Sequence, residues 1–88
     1  MSTLISRPPR PASLSRRELS ELLDEVEEVF GQRRPMLTVS EVAVLSGISA
    51  DTIRRMCVAG EIDAAQNRVN APWRIHVREL TALRRRAA

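Results

Sequence analysis

Residues 37–56 read LTVSEVAVLSGISADTIRRM, and this stretch decides the fold of the 88-residue chain. Thr38 and Glu41 form a capping box, in which each side chain satisfies a backbone amide at the start of a helix. Gly47 provides the stop of that helix, because glycine readily adopts the left-handed conformation of a C-cap. Ser49 then caps a second helix. The stretch therefore predicts two short helices joined by a tight turn.

The apolar residues of this stretch indicate that the two helices pack against each other. Ala43 is small enough to let the helices cross closely, and Ile48 follows the turn. Ile53 and Met56 give the second helix an inward face, which makes the pair a helix-turn-helix. Ser46 departs from the usual pattern, because the position before the turn glycine is more often apolar in such motifs. Helix pairs of this kind either read DNA or serve only packing, so the flanking residues decide between the two.

The residues after the second helix predict a small β wing. Gly60 ends the helix, and Asn70 and Pro72 mark a turn between two short strands. Trp73 is expected to fill the core between the wing and the helices. A short sheet beside a helix-turn-helix favours DNA reading over a purely structural helix pair.

The end of the chain predicts one more helix, which begins at His76 or Val77. Leu80 and Leu83 are expected to face inward. Three arginines, residues 84–86, come at the C-terminal end of this helix, where positive charge suits the helix dipole. Such a charge run is usually solvated, but near DNA it would add phosphate contacts.

An additional helix precedes this unit. Ser15 and Glu18 form its capping box, and Gly31 is a suitable stop. Its apolar residues recur at helical spacing and are Leu19, Leu22, Leu23, Val26, Val29 and Phe30. Its acidic residues are Glu18, Glu21, Asp24, Glu25, Glu27 and Glu28. Phosphate would repel the acidic face, so we expect the helix to point away from DNA, with its apolar stripe against its own domain or a neighbouring copy.

Composition divides the chain into three parts. Residues 1–13, MSTLISRPPRPAS, combine three prolines with Ser and Arg and predict a disordered arm. Residues 14–34 hold the N-terminal helix and a linker. Residues 35–88 form the predicted winged helix-turn-helix DNA-binding domain and carry the whole formal net charge of +3. The fold class is therefore mainly α with a small β wing, preceded by an additional helix.

The residue types narrow the class of function. All fourteen basic residues are Arg, which binds phosphate or guanine through two parallel hydrogen bonds, although a GC-rich coding sequence produces the same bias. Cys57 is expected to be a packed, inert thiol, and with His76 as the one histidine it offers no metal cluster. We expect no cofactor, no metal, no small-molecule substrate and no catalysis. No apolar run is long enough to cross a membrane, so a cytoplasmic protein is predicted.

Residues 37–83 resemble the excisionase family of phage recombination directionality factors. The resemblance rests on LTVSEVA, GISADTIRR, GEI, WRI and a terminal LTAL, in that order. That family shares its winged-helix fold with the DNA-binding domain of MerR-type regulators. The resemblance implies a protein of the bacterial host cell that binds and bends double-stranded DNA and sets the direction of integrase-mediated recombination. It also implies a phage integrase and further copies of the chain as partners, bound cooperatively along DNA.

The resemblance places the outward face of the second helix of the pair in the major groove, a face that also includes Ala50. The candidate residues on this helix are Ser49, Asp51, Thr52, Arg54 and Arg55. Arg55 is expected to contact a base and Arg54 a phosphate. Asp51 would accept a hydrogen bond from cytosine, orient Arg55, or merely pair with it. The candidate residues on the wing, which would reach the minor groove or its phosphates, are Arg68, Asn70 and Arg74.

Two alternatives to an excisionase stay open. One is a small MerR-like transcriptional regulator, a class that usually adds a dimerisation helix and an effector domain after the winged helix. The other is a protein-interaction or terminase-type module, in which the N-terminal helix docks a partner and the winged helix is structural.

Overall fold

The computed structural model describes residues 14–87, so the predicted arm over residues 1–13 lies outside the described residues. The elements, in chain order, are α1 Arg16–Phe30, β1 Met36–Leu37, α2 Val39–Ser46, α3 Ala50–Ala59, β2 Ala64–Ala65, β3 Arg74–His76 and α4 Glu79–Ala87. The predicted fold class, mainly helical with a small sheet and an additional N-terminal helix, is confirmed.

The predicted capping residues set the ends of the first three helices. The backbone amide of Thr38 donates to Glu41 Oε1 at 2.9 Å, and the amide of Glu41 donates to Thr38 Oγ1 at 3.2 Å, which completes the capping box of α2. The equivalent box at α1 joins Ser15 and Glu18. The hydrogen bond from the Ser15 amide is the main cause that lowers the pKa of the Glu18 carboxyl.

The turn between α2 and α3 depends on a glycine and a serine. Gly47 has a φ of 78°, and its amide donates to the Ala43 carbonyl at 3.0 Å. Ser46 is buried, and its hydroxyl accepts from the Ile48 amide at 3.2 Å. This bond explains why a polar residue is tolerated where an apolar one is usual, because the buried hydroxyl is satisfied inside the turn itself.

The sheet has three antiparallel strands in the order β1-β3-β2. Ile75 stands at its centre, opposite Leu37 on one side and Ala64 on the other. The sequence predicted two strands, and β1 was missed. The sheet continues into the linker, where the Val77 amide donates to the Pro35 carbonyl at 2.8 Å. The wing is therefore hydrogen-bonded to the residues that precede α2.

The predicted start of α4 at His76 or Val77 is wrong, because α4 begins at Glu79. His76 belongs to β3, and its Nδ1 accepts from the Arg78 amide at 3.1 Å in the turn that follows. The predicted inward residues Leu80 and Leu83 are fully buried.

The N-terminal helix packs on its own domain. Leu22 and Val26 are buried in the same core cluster as the helix-turn-helix and the sheet, and Phe30 packs against that cluster. One arginine of α4 closes this contact, because Arg84 donates to Glu25 Oε2 at 2.5 Å and to the Leu45 carbonyl at 3.0 Å. The apolar stripe of α1 therefore covers the helix-turn-helix unit, except for Val29, which is 49% exposed.

Candidate nucleic-acid interface

The helix α3, which the sequence predicts to be the DNA-reading or recognition helix, buries one face and exposes the other. Ile53, Met56 and Cys57 are buried, and burial raises the pKa of the Cys57 thiol, as expected for a packed, inert cysteine. The exposed residues are Asp51, Thr52, Arg54, Arg55, Val58 and Ala59. Ala50 was expected on the outward face, but it is half-buried against the core. The outward face therefore starts at Asp51.

The two hydroxyl candidates at the start of α3 are bound to each other. Ser49 Oγ accepts from the Thr52 amide at 3.3 Å and lies 2.9 Å from Thr52 Oγ1. Both side chains are exposed. They form the N-cap of the helix and lie at the end of its outward face.

The acidic candidate pairs with a different arginine from the one expected. Asp51 Oδ1 accepts from Arg54 Nη1 at 3.0 Å, an i to i+3 contact, whereas the sequence suggested a pair with Arg55. Arg55 is exposed, and its side chain forms no ion pair or hydrogen bond within residues 14–87. Of the two arginines, Arg55 is thus the one whose guanidinium is available to an external partner without breaking a bond.

The wing loop, residues 66–73, connects β2 to β3 and has a defined shape. Gln66 Nε2 donates to the Ala71 carbonyl at 2.8 Å, and the Ala71 amide donates to the Arg68 carbonyl at 3.0 Å. Asn70 sits at the tip with a φ of 71°, a left-handed conformation that asparagine tolerates better than most residues. The candidate side chains Arg68, Asn70 and Arg74 are all exposed.

A cleft of about 740 Å³ separates the recognition helix from the wing loop. Its helical walls come from the start of α2 and from Arg54 and Val58 of α3. Its other wall is the wing loop, including Val69, Asn70 and Trp73. Trp73 is half-buried and packs on the core, as expected. The cleft brings residues of the recognition helix and of the wing to one face of the molecule.

The ion pairs leave a particular set of arginines unpartnered. Away from the cleft, Arg33, Arg34, Arg78, Arg84 and Arg86 each contact an acidic side chain. Among the arginines after α1, those whose side chains form no hydrogen bond or ion pair in the described part of the chain are Arg55, Arg68, Arg74 and Arg85. Three of these four are predicted DNA-contacting residues.

The three arginines at the end of α4 differ in their contacts. Arg84 is committed to Glu25 and to the Leu45 carbonyl, and Arg86 contacts Glu61 at 3.1 Å. Arg85 alone stays exposed without a partner among residues 14–87.

Sequence reasoning missed several residues that line the cleft, Val69 among them. Ser40 lies in the first turn of α2, Gln66 begins the wing loop, and Val58 lies in the last turn of α3. None of them carries a sequence signal of its own, because the cleft forms only when the wing folds back beside α3.

Two further classes of site have no counterpart within residues 14–87. No group of three His, Cys, Asp or Glu side chains is placed to hold a metal ion there. No helix in that range is both long and apolar enough to span a membrane.

Comparison with known protein families gives a match over more than half of the chain. A family model described as a helix-turn-helix domain matches residues 36–88, which begins at β1 and leaves out α1. Neither the curated proteins nor the solved structures include a match to the chain. The matched range contains α2, α3 and the wing loop, so the cleft lies entirely within it.

Proposed function

Because this chain belongs to the helix-turn-helix domain family, which implies DNA binding, we propose that it is a site-selective DNA-binding and DNA-bending accessory factor of the excisionase type. Domains of this family are typically non-enzymatic. In the proposed role the protein performs no catalysis itself and controls the direction in which a phage integrase recombines DNA.

The observation that carries the proposal is the set of arginine side chains that α3, the wing loop and β3 leave without acidic partners. Arg55, Arg68 and Arg74 are exposed without acidic partners in the described part of the chain, and they belong to α3, the wing loop and β3. Glu21 and Glu28 of α1 are exposed acids that likewise form no ion pair there. Arginine guanidinium groups displace counterions from DNA phosphates, so free arginines mark the surface that would bind a duplex.

We assign the base contact to Arg55, because its guanidinium can present two donors to guanine O6 and N7 in the major groove. Arg54 is assigned to a phosphate beside the groove, with Asp51 holding its guanidinium at 3.0 Å. Ser49 and Thr52 lie at the N-cap of α3, where exposed hydroxyls would approach a phosphate. These roles place α3 in the major groove.

The wing supplies the contacts to the minor groove that adjoins the major groove occupied by α3. Arg68 and Asn70 stand at the loop tip and Arg74 on β3, all exposed, and these side chains suit the minor groove or its phosphates. Val69, between the two tip residues, is 83% exposed. Proteins that bind the minor groove often kink the duplex by inserting an apolar side chain between base steps, so Val69 is the residue assigned to bending.

Several copies are proposed to bind side by side. A winged helix of this size covers roughly 600–1,000 Å² of protein surface on DNA, which is little for high specificity alone. Glu21 and Glu28 on one copy and Arg85 on the next are unlike, complementary charges. A contact between unlike surfaces repeats head to tail without closing, which gives an array along adjacent sites.

The recombination role rests on the excisionase resemblance of residues 37–83 and is tested with the integrase encoded nearest to this protein on the same genome. Purified integrase and a supercoiled substrate with the two attachment sites would be assayed for excision and for integration. Addition of the protein is expected to stimulate excision and to inhibit integration. The absence of a neighbouring integrase gene, or an excision yield that the protein leaves unchanged, would contradict the role.

A further inference from the structure

The exposed face of α3 includes one large apolar residue to which the proposed function gives no role. Val58 is 72% exposed in the last turn of the helix. It follows Arg54 by four residues and Arg55 by three, so the three side chains are neighbours on the helix surface. Ile53 and Met56 are buried on the opposite side and fix the rotation of the helix, so Val58 cannot turn inward.

A second exposed valine lines the same cleft. Single exposed valines are ordinary on protein surfaces and need no explanation. Val58 and Val69 are, however, two of the four large hydrophobic side chains that are exposed within residues 14–87, and both border the cleft between α3 and the wing loop. Trp73 and Pro72 add further apolar surface to the wing side of the cleft.

The charges around Val58 favour DNA as its occupant. Arg54 lines the cleft with Val58, and Arg55 adjoins Val58 on the outer surface of α3. Asp51 is the one acid on this face, and it is already bound to Arg54. Two guanidinium groups beside an apolar side chain suit a phosphate-bearing duplex better than an apolar peptide.

In duplex DNA the apolar group that the major groove offers is the 5-methyl group of thymine. Valine is well suited to meet it, because a β-branched side chain in a helix has one strongly preferred rotamer and presents its methyl groups in a fixed position. We propose that Val58 contacts the 5-methyl group of one thymine and so determines the specificity of α3 at that base pair. This inference rests on the proposed function, because it requires α3 to enter the major groove.

Helix geometry limits where that thymine lies. Three residues of helix advance about 4.5 Å, so Val58 stands that far along α3 from Arg55. Duplex DNA rises about 3.4 Å per base along each strand. The thymine is therefore expected within about two base pairs of the guanine that Arg55 reads.

The test replaces thymine by uracil, which removes the 5-methyl group and changes nothing else on the base. The preferred site is first selected from random duplexes with the full chain, and each thymine in it is then replaced singly. At one thymine near the Arg55 guanine, wild-type affinity is expected to fall about fourfold, the amount for one apolar carbon group. On the thymine duplex, the affinity of Val58→Ala should be lower than that of wild type by about the same factor. On the uracil duplex, Val58→Ala and wild type should bind with equal affinity.

The matched control is Val29→Ala, the same change at an exposed valine of α1. This variant should bind like wild type and keep the full uracil effect, and equal circular dichroism spectra would show that both variants are folded. If a site is selected but no uracil substitution weakens wild-type binding, or Val58→Ala keeps the uracil effect, the inference is overturned while the proposed function stands. If no site is selected, the proposed function fails and the inference fails with it.

Discussion

Asp51 holds Arg54 at 3.0 Å on the surface of α3 and leaves the next residue, Arg55, without an acidic partner among residues 14–87. Two adjacent arginines with identical side chains therefore differ in what they can do. A guanidinium that already donates to a carboxylate has fewer free donors for a base, whereas the free guanidinium of Arg55 can use two donors at once.

Replacement of Arg55 by Ala should remove sequence preference. A two-pronged arginine contact to guanine contributes about 1–3 kcal/mol of discrimination, so the ratio of affinities for the selected and random duplexes should fall about tenfold or more. Arg74→Ala is the comparison variant and should weaken both duplexes alike, because a phosphate contact carries no sequence information. Fluorescence anisotropy titration measures both ratios. An equal loss on both duplexes for Arg55→Ala would contradict the assignment.

Replacement of Val69 by Ser should reduce the bend of the bound duplex. The wing tip would lose its apolar wedge while Arg68 and Asn70 keep their phosphate-binding groups. Energy transfer between dyes at the two ends of a short duplex reports the bend. Val44→Ser, at an exposed valine of α2 outside the cleft, is the control and should keep the wild-type end-to-end distance. If the duplex bound by Val69→Ser is bent as much as the duplex bound by wild type, Val69 does not cause the bend.

The helix ends could be read from the sequence because they are determined locally. Ser15, Thr38 and Ser49 each bond a backbone amide three residues on, and such contacts depend only on short-range spacing. The strand β1 could not be read in this way. It has two residues, too few for any alternation of apolar and polar side chains, and it forms because Leu37 pairs with Ile75, far along the chain.

The candidate site was likewise predicted in part. The spacing of α3 separates its buried residues from its exposed ones, so the outward position of Arg55 follows from periodicity. Periodicity does not identify the partner of Asp51, because residues three and four positions along the helix are both within reach of its carboxylate. The cleft wall from Gln66 to Trp73 depends on how the wing loop folds back over α2 and α3, which no local pattern specifies.

Replacement of Glu41 by Gln should destabilise the fold in a pH-dependent way. The hydrogen bond from Arg34 is the largest cause that lowers the pKa of the Glu41 carboxyl. A lowered folded-state pKa means that the stabilisation is complete above the ordinary glutamate pKa, and is lost as the pH falls through the lower folded-state value. Urea unfolding at neutral pH should show a loss of about 0.5–1 kcal/mol, because the pair is partly exposed.

In acid, where wild-type Glu41 is itself protonated, the free energies of unfolding of wild type and Glu41→Gln should be nearly equal. Glu61→Gln is the control, since its pair with Arg86 is about half exposed on both sides and should contribute little. A loss for Glu41→Gln that stays as large at the lowest pH at which the wild-type protein is still folded as at neutral pH would show that the charge of Glu41 is not what stabilises α2.

Neutralising the free acids of α1 should abolish cooperative binding and leave single-site affinity intact. Glu21 and Glu28 have no internal ion pair in the described structure, so Glu21→Gln with Glu28→Gln removes charge without breaking a fold contact. The double variant Asp24→Asn with Glu27→Gln makes an equal charge change at residues that contact Arg33 and should keep cooperativity. Gel-shift titrations on one-site duplexes measure the single-site affinity, and titrations on three-site duplexes measure the cooperativity. Independent filling of neighbouring sites by wild type would exclude the array.

DNA binding by the arginines of α3 and the wing is tested most directly by one titration series. Wild-type protein is titrated onto the selected duplex and a random duplex at about 50 and about 200 mM salt. Three phosphate contacts, from Arg54, Arg68 and Arg74, predict that both affinities fall roughly 40-fold over this range through counterion release. The selected duplex should bind more tightly at both salt concentrations. An affinity that does not change with salt, or equal binding of the two duplexes, would contradict the account.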